Sequence, residues 1–134
     1  MIVAHRPTLP RLIGEAARLI PLSDVVETRG SLLPIDLADL PFRARRVFVV
    51  RGVPPGTTRG GHAHQRGAQL LVRLSGQIRV EVGAEGNSEP FLLADSRVGL
   101  LLPAAVWSSQ TYLTADASLL VLCSEPYHPS EYAP

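Results

Sequence analysis

The stretch RGGHAHQRGAQLLVRLSG, residues 59–76, carries two of the four histidines of the chain, separated by a single residue. Side chains two positions apart on a β-strand project from the same face of the sheet. His62 and His64 are therefore expected to point to one side and Ala63 to the other. The pair could be metal ligands, a proton-transfer pair or two exposed residues at a sheet edge, and the surrounding sequence bears on that choice.

Short apolar runs separated by glycine and proline lie on both sides of this stretch. In QIRVEV, residues 77–82, three apolar residues alternate with polar ones, which is typical of a half-buried strand. VGAEGNSEP, residues 82–90, is predicted to be a hairpin turn, and VPPGTTRGG, residues 53–61, a loop leading into the histidines. Short extended runs without helical periodicity between them predict an antiparallel sandwich or barrel of the jelly-roll type. The runs are SDVVE, SLLPID, RRVFVVRGV, QLLVRLSG, QIRVEVG, PFLLAD, VGLLLP and ASLLVLCS.

The N-terminal part has a different pattern. Residues 8–20, TLPRLIGEAARLI, are predicted to form a short amphipathic helix with Pro10 in its first turn. The chain is therefore divided into an N-terminal extension with a short helix, residues 1–21, and a β-domain, residues 22–134. Prolines and charges interrupt the first twenty residues, so neither a signal peptide nor a membrane span is expected, and a cytoplasmic location is predicted.

The composition excludes several partners. The net charge of +1 provides no basic field for nucleic acid or for an acidic membrane surface.

Cys123 is the only cysteine, so no internal disulfide can form, and its apolar neighbours predict a buried, unreactive thiol.

The intervals Gly-x5-His-x-His-x4-Gln-x6-Gly, from Gly56 to Gly76, match the first cupin motif, with Gln69 where metal-binding cupins usually carry glutamate. In the counterpart of the second motif, residues 99–113, Ser108 takes the place of a histidine. Divalent metals commonly take three or four protein ligands, so no metal and no other cofactor is expected. Two neutral imidazoles would then face a barrel mouth, and with an ordinary pKa of ~6.5 each can exchange a proton at cellular pH.

Five segments spread over roughly residues 22–132 resemble the nucleotide-sugar 3,4-ketoisomerases, in particular their WxcM-like branch. The resemblance implies a cupin-type β-barrel and a metal-independent isomerase that converts a dTDP-4-keto-6-deoxyhexose into a 3-keto sugar through an enediol. It implies that His62 is the base at carbon and that His64 moves a proton between oxygens. Which histidine has which of these two roles is left open. The segments are TRGSLLPID, LPFRARRVFVV, RGGHAHQRGAQLLVRLSG, VGLLLPAAVWSSQ and VLCSEPYHPSEY.

The resemblance also implies which residues bind the dTDP-linked sugar. Arg29, Arg59 and Gln69 match motif positions from which hydrogen bonds could reach the sugar or the pyrophosphate, and Trp107 is expected to line the pocket. Phe48 stands where related enzymes usually carry tyrosine near the sugar. A hydroxyl lost from a polar site costs about 1–3 kcal/mol, roughly 5- to 150-fold in rate.

The C-terminal segment and the assembly are interpreted from the same resemblance. Tyr127 and Tyr132 match a family motif and are assigned to packing. A homodimer is expected, in which exchanged N-terminal strands give each site arginines from a neighbouring segment.

Three other functions stay open. Phe48 favours a non-catalytic nucleotide-sugar-binding cupin or regulatory partner. A metal-dependent cupin oxygenase or isomerase is disfavoured by Gln69 and Ser108. A 3,5-epimerase of similar fold would need a histidine–carboxylate dyad and a tyrosine acid, which the sequence does not reveal.

Overall fold

The protein, seen here in a computed structural model that describes residues 3–5, 12–13 and 17–133, is built almost entirely from strands. All the strand pairs in the described part of the chain are antiparallel. Two short 3-10 turns, Leu37–Asp39 and Pro129–Glu131, interrupt them. The strands are β1 (Val3–His5), β2 (Leu12–Ile13), β3 (Ala17–Pro21), β4 (Asp24–Glu27), β5 (Gly30–Leu32), β6 (Arg46–Val50), β7 (Thr57–His64), β8 (Gln69–Ser75), β9 (Ile78–Ala84), β10 (Asn87–Leu93), β11 (Val98–Leu102), β12 (Trp107–Tyr112), β13 (Ser118–Cys123) and β14 (Tyr132–Ala133).

Two large sheets enclose the core. One has the order β10-β9-β12-β7-β14 and the other the order β2-β3-β11-β8-β13-β6, while β1, β4 and β5 form a small third sheet. Both large sheets contribute to one apolar cluster, as Ile78 and Val80 of the first do with Leu100 and Val121 of the second. The all-β jelly-roll architecture predicted from the sequence is confirmed. No helix in the described ranges is long and apolar enough to cross a membrane.

The central strands of the six-stranded sheet are buried on both faces, which explains their continuous apolar runs. On β8, Leu71 packs into the main core, whereas Leu70 and Val72 belong to a second cluster on the outer face. Partly buried residues of the segment that connects β5 with β6, among them Ile35 and Phe42, cover that second cluster. A strand buried on both faces loses the alternation of a half-buried strand, as QLLV does here.

The predicted N-terminal helix is wrong over the residues that the structure describes. Residues 12–13 and 17–21 form β2 and β3, which pair with each other, and β3 also pairs with β11. Ala17 and Leu19 are buried and Arg18 between them is exposed, which is the period of a strand. The open edge of β11 supplies hydrogen bonds to this backbone, and this tertiary pairing overrides a weak local preference for helix. The rest of residues 8–20 lies outside the described residues.

The strands that form the site were only partly predicted. The hairpin turn within residues 82–90 is confirmed, since β9 ends at Ala84 and β10 begins at Asn87. The loop predicted for residues 53–61 is too long, because β7 already begins at Thr57. β12 was not among the predicted runs, because WSSQTY is mostly polar although four of its six residues are buried.

Two glycines place a bulge directly before the histidines. In the pairing of β7 with β12, Ser108 lies opposite His62 and Ser109 opposite Gly60, so that Gly61 is the extra residue. Gly60 and Gly61 have φ of 85° and 79°, a region that strains other residues. The RGG sequence is therefore required by a β-bulge, a feature that commonly redirects side chains beside a site.

Candidate active site

A cavity of about 330 Å³ lies between the two large sheets. Of the seven residues predicted for the site, five line it: His62, His64, Phe48, Arg59 and Gln69. The remaining lining residues come from β6, β7, β8, β12, β13 and β14, so the cavity is assembled from segments far apart in the sequence. They are Arg46, Val49, Val50, Gly60, Leu71, Ser108, Gln110, Tyr112, Leu119, Val121 and Tyr132.

The two histidines are neighbours on the same face of β7. Their ring centroids are 5.4 Å apart, with the planes at 61°. Both side chains are partly buried at the cavity wall. Two imidazoles at this separation can reach adjacent atoms of one small ligand.

Both imidazoles favour the neutral form. Burial lowers the pKa of His62, and a hydrogen bond with the backbone of Gly60 opposes this only in part. Burial also lowers the pKa of His64; the neighbouring His62 and Arg46 lower it further, and the negative charge of Glu131 opposes them. A neutral imidazole can accept a proton, so either residue can act as a general base near pH 7.

Tyr132 also belongs to the site, although the sequence indicated only packing. It lies opposite His64 in the pairing of β14 with β7. Its ring centroid is 4.7 Å from that of His62 and 4.6 Å from that of His64. Its hydroxyl accepts a hydrogen bond of 3.2 Å from Arg46 Nη1. No sequence pattern reveals this contact, because it depends on the C-terminal residues pairing with β7.

Arg46 is the second residue that the sequence analysis missed. Its guanidinium carbon lies 4.7 Å from the ring centroid of Phe48 and 5.2 Å from that of Tyr127, within the range of cation–π contacts. Arg46 precedes Phe48 by two residues on β6 and therefore points to the same face. That spacing was the signal that could have identified it.

The rest of the cavity wall combines amide and hydroxyl groups with an apolar surface. Gln69 is buried and its amide donates to the Cys123 thiol at 3.7 Å. Burial raises the pKa of that thiol, and the predicted buried cysteine is confirmed. On β12, Gln110 donates to the Ser108 hydroxyl at 3.0 Å. The apolar part of the wall comes from Leu71, Leu119 and Val121.

Arg29 and Trp107 do not line this cavity within the chain. Arg29 lies in the turn between β4 and β5, where its side chain is 83% exposed and paired with Glu27 at 2.7 Å. Trp107 precedes Ser108 on β12, and neighbouring strand residues point to opposite faces. Its indole nitrogen is buried and has no hydrogen-bond partner within the described residues.

The cavity offers few metal ligands. In the described part of the chain, no three His, Cys, Asp or Glu side chains converge in a way that could hold a metal ion. Ser108 stands opposite His62, at the position where the second cupin motif would place a histidine.

Comparisons with known proteins place this site in a family context. A family model described as FdtA, WxcM-like, C-terminal, matches residues 15–134. A TDP-4-oxo-6-deoxy-alpha-D-glucose-3,4-oxoisomerase of Aneurinibacillus thermoaerophilus is 30% identical over 116 residues, which are 86% of this chain and 84% of that protein. QdtA of Thermoanaerobacterium thermosaccharolyticum, a sugar 3,4-ketoisomerase solved in complex with TDP, is 31% identical with a TM-score of 0.83 and covers 90% of this chain and 88% of its own. The RmlC epimerase of Mycobacterium tuberculosis, 21% identical with a TM-score of 0.78 over 93% of this chain and 72% of its own, shares the fold.

Proposed function

The chain belongs to the FdtA family of WxcM-like, C-terminal domains, and on this premise we propose that it is a metal-independent 3,4-ketoisomerase of a TDP-linked 4-keto-6-deoxyhexose in deoxysugar biosynthesis. The observation that carries the proposal is the pair of neutral imidazoles, His62 and His64, 5.4 Å apart on one cavity wall. A structure of a histidine-to-asparagine mutant of QdtA in complex with TDP-4-keto-6-deoxyglucose, 31% identical with a TM-score of 0.82, supports the substrate class.

The isomerisation needs only proton transfers. The 4-keto group acidifies the hydrogen on C3, and one imidazole removes it to give an enediol. The proton returns to carbon at C4 while the hydrogen of the 3-hydroxyl moves to the oxygen on C4, so the carbonyl shifts from C4 to C3 without net oxidation. We assign the carbon base to His62 and the transfer between oxygens to His64. General acid–base catalysis of this kind contributes about 10²–10⁴-fold.

The remaining wall suits a deoxysugar. The cavity volume of about 330 Å³ lies at the lower end of the range for small-molecule sites. Arg59 and Gln69 provide donors for sugar or phosphate oxygens, and the planar fork of an arginine can bind two phosphate oxygens at once. The apolar surface of Leu71, Leu119 and Val121 is suited to the methyl group of a 6-deoxyhexose.

The chemistry is tested by hydrogen exchange. Protein incubated with TDP-4-keto-6-deoxyglucose in D₂O should incorporate deuterium at the carbon that is protonated and should yield the 3-keto isomer. His62→Ala should abolish this exchange, whereas Arg79→Ala, at an exposed position on β9, should leave it unchanged. Activity that survives in His62→Ala, or its absence over hours in the unaltered protein, would refute the assignment.

A non-catalytic nucleotide-sugar-binding cupin is the second candidate, and Phe48 is the observation that favours it. Phe48 lies in the cavity beside Arg46 and brings a ring without a hydroxyl. TDP should raise the melting temperature under either function, but only the isomerase should also convert the sugar. A metal-dependent enzyme should lose its activity when a chelator removes the metal. Turnover that persists in chelated protein, shown to be metal-free by elemental analysis, would exclude this alternative.

We also propose a homodimer in which Arg29 acts in the site of the partner subunit. The proposal is supported by the position of Arg29, which lies in the turn between two strands of the separate small sheet, exposed and outside the cavity of its own chain. Light scattering should give twice the mass of the chain. If Arg29→Ala and His62→Ala are both inactive, mixing them should restore about a quarter of the activity, because half of the mixed molecules carry one intact site. A monomer, or a mixture that stays inactive, would contradict the proposal.

A further inference from the structure

Strand β14 places a phenol ring against both histidines. Tyr132 contacts both imidazole rings at centroid distances of 4.7 and 4.6 Å and lines the cavity. Its neighbour Tyr127, by contrast, is 61% exposed and does not line the cavity. The two tyrosines of the C-terminal segment therefore occupy different environments, although the family resemblance assigns both to packing.

The hydroxyl of Tyr132 is oriented by a cation. Arg46 Nη1 donates to the phenolic oxygen at 3.2 Å, which occupies a lone pair of that oxygen and leaves the phenolic hydrogen available. That hydroxyl makes no other hydrogen bond within the described residues. A phenol that accepts from a guanidinium becomes a better donor, because the cation withdraws electron density from its oxygen.

The backbone holds Tyr132 in this position. The preceding residue, Glu131, is 2% exposed, and its carboxylate accepts hydrogen bonds from the backbone amides of Arg66 and Gly67. Its carbonyl also accepts a 2.6 Å bond from the Gln65 amide. Tyr132 is thus fixed against β7 by a buried anchor and does not belong to a loose tail.

Arg46 contacts both the Tyr132 hydroxyl and the ring of Phe48, the position where related enzymes usually carry a tyrosine. The same guanidinium that donates to Tyr132 lies 4.7 Å from the ring centroid of Phe48. Both rings therefore border one cation on one side of the cavity. A hydroxyl on either ring would therefore lie near the same guanidinium.

Resting on the proposed function, we propose that Tyr132 is a further catalytic residue, which donates a hydrogen bond from its phenolic hydroxyl to the sugar oxygen that becomes negatively charged in the enediolate and keeps its own proton throughout. It supplies in this chain the hydroxyl that Phe48 lacks. A donor directed at developing charge acts mainly in the transition state, so its loss lowers kcat more than it weakens substrate binding.

The test compares two tyrosine-to-phenylalanine variants. Tyr132→Phe keeps the ring that packs on both histidines and should lower kcat about 10- to 150-fold, with KM changed less than about threefold. Tyr127→Phe removes a hydroxyl from the adjacent exposed ring and should leave both constants unchanged. In the Tyr132→Phe background, Phe48→Tyr should recover kcat at least about fivefold, since its new hydroxyl borders the same guanidinium.

The outcomes separate this inference from the function it rests on. If Tyr132→Phe and Tyr127→Phe have equal kcat while His62→Ala is inactive, the isomerase stands and the role of Tyr132 is refuted. A further loss on adding Phe48→Tyr, in place of recovery, would also overturn it. If the unaltered protein neither exchanges deuterium nor converts the sugar, both proposals fall together.

Discussion

Replacing Glu131 by glutamine should destabilise the fold and loosen the site at the same time. Glu131 is buried at the end of the C-terminal 3-10 turn, next to Tyr132. Oε1 accepts from Arg66 Nε at 2.9 Å and from the Arg66 amide at 3.2 Å, while Oε2 accepts from the Gly67 amide at 2.9 Å. Glutamine fills the same volume but turns one of these acceptors into a donor that faces backbone N–H groups.

The magnitude follows from those contacts. Hydrogen bonds to a charged group contribute about 1.5–3 kcal/mol each, and a buried donor left unpaired costs about 1–3 kcal/mol. Since glutamine keeps one acceptor oxygen, Glu131→Gln should lower the free energy of unfolding by about 2–3 kcal/mol. For a domain of this size that corresponds to a drop in Tm of about 8–12 °C.

The assay is thermal unfolding as a function of pH, with Arg66→Ala as the comparison. Burial alone would raise the pKa of Glu131, but the hydrogen bonds from Arg66 and Gly67 lower it below its ordinary value. A carboxyl with a lowered pKa stabilises the fold above its unfolded pKa of ~4.3, and this contribution is lost as pH falls through the folded value. The difference in Tm between the unaltered protein and Glu131→Gln should therefore be full at pH 7 and shrink below about pH 4.

The comparison variant decides which contacts matter. Arg66 is 67% exposed, so its ion pair is screened by solvent, and Arg66→Ala keeps both backbone amides in place. Its Tm should fall less than half as far as that of Glu131→Gln. An equal fall in the two variants, or a difference that does not depend on pH, would refute the argument that the carboxylate is held by the backbone.

Two further predictions concern proton transfer and backbone geometry. Burial lowers the pKa of His62 and of His64, so kcat/KM should rise with pH through an apparent pKa below ~6.5 and be flat from about pH 7. A kcat/KM that falls with rising pH over this range would show that a protonated imidazole is required. Gly76→Ala, with φ of +70° and a new Cβ only 2.6 Å from the Cα of Ala117, should lower the free energy of unfolding by about 3 kcal/mol or more in denaturant titrations. Gly86→Ala, with φ of +77° and nothing within 4 Å, should cost only about 1–2 kcal/mol, and equal losses would contradict the steric argument.

The parts of the fold that were predictable are those whose pattern is local. β9 was predicted because Ile78, Val80 and Val82 alternate with polar residues, and all three are buried. β3 was misassigned because its apolar residues also fit a helix, and only the edge of β11 decides between the two. β12 was missed because Ser109 and Thr111 are buried polar residues, which a search for apolar runs cannot detect.

The site divides in the same way. His62, His64 and Gln69 lie within one motif, and all three line the cavity, the histidines from β7 and Gln69 from β8 of the other sheet. Arg46 and Tyr132 are 86 residues apart, and their hydrogen bond exists only because β6 and β14 border the same cavity. Contacts of that range depend on the closure of the barrel, and no single segment of sequence records them.

The C-terminal turn connects the stability of this fold with the electrostatics of its site. The negative charge of Glu131 raises the pKa of His64, whereas the positive charge of Arg46 lowers it. Arg46 also orients the Tyr132 hydroxyl, and Glu131 fixes the backbone on which Tyr132 stands. The Glu131 carboxylate, which anchors β14, thus also opposes the lowering of the pKa of His64. A change at Glu131 should therefore alter the proton affinity of the site as well as the melting temperature, and by removing the charge it should shift the rising limb of the pH profile towards lower pH.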